Sequence, residues 1–162
     1  LSPAQVHRRD PLTNAETDQL REVAAEPYKR LKLYITFAEA RLAAIDRARS
    51  GTKAPQGRGK QIHDFLLDFT AILDEINDNA DTYEGRPLNQ ADKKQFHEGL
   101  KGIIAAGHKW DLQLRALQSD PQLKKEAADF RFVLEDAQDA VKSTVDIARE
   151  YLGDKPSKGK GR

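Results

Sequence analysis

Apolar residues recur along this chain at alternating steps of four and three. The clearest run is Gln61 to Tyr83, where Ile62, Leu66, Phe69, Leu73, Ile76, Ala80 and Tyr83 keep that spacing. Such spacing holds side chains on one seam of an α-helix. Asp64, Asp68, Asp74, Asp78 and Asp81 fall on the other face. A helix of this kind is not stable alone in water and needs partners that cover the seam.

Three more seams share the period. The first is Tyr28, Leu31, Ile35, Ala38, Leu42 and Ile45. Another is Phe96, Leu100, Ile103, Gly107, Trp110, Leu114 and Leu117. The last runs from Leu123 through Ala127, Phe130, Leu134, Ala137, Val141, Val145 and Ala148 to Leu152. The pattern predicts an all-α, antiparallel, up-down-up-down four-helix bundle with heptad-type seams, supercoiled left-handed. Four helices are expected at about 14–49, 60–83, 90–118 and 121–152.

Local signals set the ends. Thr13-Asn14-Ala15-Glu16 has the form of a capping box, Asn89 can cap the third helix, and Asp120-Pro121 can open the fourth. Pro27 interrupts the first helix, so a kink or short break is expected near Ala25 to Pro27. Gly85 is the expected left-handed residue closing the second helix, and Gly153 ends the fourth. Residues 1–12 are expected to form an extended arm, 50–59 a loop, and 154–162 a flexible basic tail.

Charge adds one pairing. The second helix is acidic, and the first carries Arg21, Lys29, Arg30, Lys32, Arg41, Arg47 and Arg49. Folding back at the loop sets Arg41 near Asp68, a pair worth at most about 1 kcal/mol if exposed. The net charge of +1 argues against a dedicated nucleic-acid binder, which needs a basic stripe. The absence of cysteine removes disulfides, thiolate metal sites and a Cys nucleophile. No apolar run reaches the roughly 20 residues that span a bilayer. Methionine is absent and the chain opens on Leu1, so an N-terminal piece is expected to have been removed, either by trimming of the chain or as a cleaved leader; the expectation is an exported protein, periplasmic or secreted.

Catalytic patterns are missing. No serine sits in a Gly-x-Ser-x-Gly elbow, there is no phosphate-binding glycine loop, and the Glu-x-x-His signature of di-iron bundles does not occur. The chain therefore reads as a non-enzyme without a cofactor. Its expected partners are an unknown protein or a second copy of itself.

The sequence offers two candidate sites. If the second and third helices form a hairpin turning near Arg86, His63, His108 and Asp111 meet at one end of the bundle. Two imidazoles and a carboxylate could bind zinc or copper there. The blander alternative is solvated boundary histidines, because none of the three is on a seam. The second candidate is the small-residue flank Gly99, Gly102 and Ala106 beside Trp110, an expected interaction surface. Glycine inside a helix costs about 1 kcal/mol against alanine, so glycines here need a reason. The competing reason is room for bulky neighbours such as Phe130 or Phe132.

Overall fold

The computed structural model describes residues 10–50 and 57–153, and they form five α-helices with no strand among them. These are α1 (Asn14–Glu22), α2 (Pro27–Arg49), α3 (Arg58–Glu84), α4 (Gln90–Gln118) and α5 (Ala127–Tyr151). The expected tail, the first nine residues of the arm and most of the loop lie outside the described residues.

Five helices stand where four were expected, because the first predicted helix is two. Helix α1 ends at Glu22, and Pro27 opens α2 at its first turn, where a missing amide costs nothing. The capping box forms at Thr13: its amide donates to Glu16 Oε1 at 2.9 Å, and the Glu16 amide donates to Thr13 Oγ1 at 3.1 Å. Asn89 caps α4 by accepting from the Asp92 amide at 2.8 Å. Asp120 caps as expected, but it opens a 3-10 turn at Pro121–Leu123, and α5 starts only at Ala127. Gly85 is not left-handed; its φ is −80°. Positive φ belongs instead to Gly57, ahead of α3, and to Gly153, after α5.

The side-by-side neighbours are α2 with α3, α3 with α5, α5 with α4, and α4 with α2. Bonds across these pairs give the directions. Arg30 bonds Asn79 and Arg41 pairs with Asp68, so α2 and α3 are antiparallel. Arg58 bonds Glu126 and Tyr151 bonds Asp81, so α3 and α5 are parallel. Leu31 faces Gly99 and Ile35 faces Gly102, so α2 and α4 are parallel.

Consecutive helices α3 and α4 therefore lie on a diagonal. They meet across the core through edge-on rings, Phe69 with Trp110 at 5.4 Å and Tyr83 with Phe96 at 5.8 Å between centroids. Residue size explains the order. Large rings hold α3 and α4 apart across the centre. Glycines on α4 let it close onto α2 at Gly99 and onto α5 at Gly107, where an added Cβ would overlap Val145.

The seams of α3 and α4 are buried along their whole length. The face of α2 is rotated from its expected seam. Tyr28 and Ile35 are only half-buried, whereas Tyr34, Phe37 and Arg41 are buried. Helix α1 lies over that second flank: Arg30 Nη1 donates to the Leu20 carbonyl at 3.2 Å, and Arg41 grips Glu16.

Candidate interaction surface

The three residues of the candidate metal site do not converge. His63 is on α3, while His108 and Asp111 are on α4, the diagonal helix. Each has its own neighbour. His63 Nδ1 lies 3.0 Å from Asp64 Oδ1, Arg149 Nη2 approaches His108 Nε2 at 3.5 Å, and Asp111 pairs with Arg115 at 3.0 Å. Among the described residues, no group of three or more His, Cys, Asp or Glu side chains is placed to hold a metal ion. The expectation required α3 and α4 to be a side-by-side hairpin, and the diagonal packing removes that premise.

The small-residue flank divides. Trp110 is 0% exposed and edge-on to Phe69, so it belongs to the core. Gly99 and Ala106 are also buried. A Cβ on Gly99 would come within 2.8 Å of Leu31 Cδ1, so this glycine serves the approach of α4 to α2. The bulky neighbours are thus Leu31 and Ile35, not Phe130 or Phe132. Phe130 is buried in the core, and Phe132 is 74% exposed.

What remains open is a shallow groove between α2 and α4. Tyr28 and Ile35 line it from α2; Gly99, Gly102, Ala105 and Ala106 line it from α4. Lys32, Glu39, Glu98 and Lys109 stand round its rim. Glu39 and Lys109 reach across one end at 3.8 Å, and Glu98 pairs with Lys101 at 3.2 Å. Lys32 Nζ sits 5.7 Å from the centre of the Tyr28 ring. These are exposed pairs, each worth well under about 1 kcal/mol, and free to exchange partners. The groove has no nucleophile–base pair, so its chemistry is that of a contact surface.

A buried charge network stands on the opposite flank of α2, and only its Asp68 arm was foreseen. Arg41 is 9% exposed; its Nη1 donates to Glu16 Oε2 at 2.8 Å and its Nη2 to Glu16 Oε1 at 2.7 Å. Nη2 also donates to the Pro11 carbonyl at 2.6 Å, and Nε lies 3.8 Å from Asp68 Oδ2. A two-pronged guanidinium–carboxylate pair is the strong form of this interaction. Burial pushes the Glu16 carboxyl up, but the Arg41 bond, the Thr13 amide and the Arg41 charge outweigh it and hold it below its ordinary 4.5. The Glu16 hydrogen bond holds the Arg41 guanidinium above its ordinary value, against burial. The sequence signal was Glu16 itself, read only as a cap.

Two polar ties close the α3/α5 side. Arg58 Nη2 donates to the Gln122 carbonyl at 3.2 Å and to Glu126 Oε1 at 3.1 Å. At the other end Tyr151 donates to Asp81, a bond that pushes the phenol up to about 12.

Compared with known protein families, curated proteins and solved structures, the chain matches none.

Proposed function

We propose that this is a non-enzymatic helical-bundle protein that acts through protein–protein contacts, with the α2/α4 groove as its working surface. The observation that carries this reading is the groove itself. Its floor combines the half-buried Tyr28 and Ile35 with Gly102 and Ala105, and exposed charges of both signs ring it. An apolar centre with a polar rim is the anatomy of a binding patch. The metal-binding alternative has no such support, because His63, His108 and Asp111 sit apart, each beside another side chain.

The test is site-specific photocrosslinking in the cells that make the protein. A photoreactive residue at the exposed Ala105 is compared with one at the exposed Arg131 on α5. A discrete adduct from position 105 alone supports the groove as the contact surface. No adduct at 105, or the same adducts from both positions, contradicts it.

A further inference from the structure

Glycine is disfavoured inside a helix, so each one in α4 needs a cause. Two have theirs in the chain's own packing. A Cβ at Gly99 would press on Leu31, and one at Gly107 would overlap Val145. Gly102 differs. Among the described residues, a Cβ there would meet only Ile35 Cδ1, at 3.6 Å, an ordinary van der Waals distance. The fold accepts alanine at this position, and Gly102 lies in the groove floor. Packing among the described residues gives this glycine no cause, and its backbone is open to close approach from the groove.

The rim says what approaches. Helices α2 and α4 run in the same direction, so Lys32 and Glu98 mark one end of the groove, and Glu39 and Lys109 the other. Signs alternate round the four corners and cancel. Such a square is its own complement. A two-fold axis along the groove sets Lys32 over the second copy's Glu98, and Glu39 over the second copy's Lys109. A two-fold axis across the groove sets Lys32 over the second copy's Glu39, and Glu98 over its Lys109. Opposite charges meet either way. An evenly acidic or basic partner would meet two like charges.

We infer that the occupant of the groove is a second copy of this chain, seated about a two-fold axis with Gly102 inside the contact. The inference rests on the groove being the working surface and names its partner. From Tyr28 to Glu39 the face runs about 17 Å along the helices and about 20 Å across two of them. That is a few hundred Å² a side, below the roughly 800 Å² of a standard interface. The dimer is therefore weak and reversible.

Sedimentation equilibrium of the full chain, from micromolar to about 1 mM, tests this. The wild type dimerises with concentration, and more weakly in high salt as the rim charges are screened. Gly102→Ala keeps or raises the melting temperature yet weakens association about tenfold, because each copy pushes an added methyl into the contact. Lys109→Glu sets like charges together in either arrangement and also weakens dimerisation about tenfold or more. A monomer at all concentrations overturns the inference, as does a dimer that survives both variants unchanged. If the pure chain is monomeric while position 105 still crosslinks to a different protein, the self-contact fails and the broader reading stands. If no crosslink forms either, both fail.

Discussion

The two flanks of α2 were given opposite fates. One carries Tyr28 and Ile35, which belong to the heptad seam and should be buried; they are half-exposed over the groove. The other carries Phe37, about 120° round from Leu31 and off the seam, yet only 3% exposed. The difference is α1. It crosses the Phe37 flank and is fastened there by Arg41 and Arg30. Nothing in the described chain covers the Ile35 flank. A helix whose apolar residues spread over both sides of its seam needs two covers. Here the chain supplies one itself, and the proposed dimer supplies the other.

Cutting the fastening should do most to break this asymmetry. Arg41→Ala leaves Glu16 without its fork in a buried setting, and should cost about 3–4 kcal/mol in denaturant unfolding. Amide exchange should quicken across α1 first. Phe37→Ala deletes a buried ring and should cost about 3 kcal/mol by the same measurement. Ile35→Ala, on the open flank, should cost less than half as much, and equal losses would erase the contrast between the flanks.

Acid should loosen the closed flank selectively. Glu16 is held below its ordinary 4.5, so the stability it adds is fully present above about 4.5 and is lost as pH falls through its folded value. Protonation weakens the Arg41 fork and the cap bond to Thr13 together. In Glu16→Gln the stability should fall less steeply over that window than in the wild type, in melts taken from pH 7 down to about 2.5. A profile as steep as the wild type's would show that Glu16 is not the group responsible.

Glycine substitutions give the smallest and sharpest contrast. Gly99→Ala forces Leu31 aside and should destabilise by about 1–2 kcal/mol. Gly102→Ala, three residues on, meets nothing tight and should stabilise the monomer by about 0.5–1 kcal/mol. Opposite signs at two glycines of one helix would separate what the fold requires from what the surface requires.

Much of the fold could be read from the sequence, and the parts that could not share a cause. Period 3.5 tells which residues of a helix face inward, so the seams of α3 and α4 are correct to the residue. The caps at Thr13, Asn89 and Asp120 are local chemistry, and they form. Charge alone brought Arg41 to Asp68. A periodic seam does not say which helices become neighbours. That order comes from bulk at Phe69, Trp110, Tyr83 and Phe96 against glycine at 99 and 107, and it keeps His63 from joining His108 and Asp111 in a metal site. Nor does periodicity reveal that Glu16, already used as a cap, also grips a buried arginine. By helical spacing Gly102 shares one flank of α4 with Gly99, Ala106 and Trp110. Only the neighbouring helix shows that Gly99 and Trp110 are interior while Gly102 is at the surface.

The most direct test of the groove as the site of self-contact is a dilution series followed by backbone amide NMR, from about 1 mM to about 20 μM. Shifts that move with concentration should cluster on Tyr28–Glu39 and Glu98–Lys109, leaving α1 and the Phe37 flank still. Shifts centred instead on α1, or on the exposed Leu67 and Phe132 of α3 and α5, would contradict it, as would spectra that do not change.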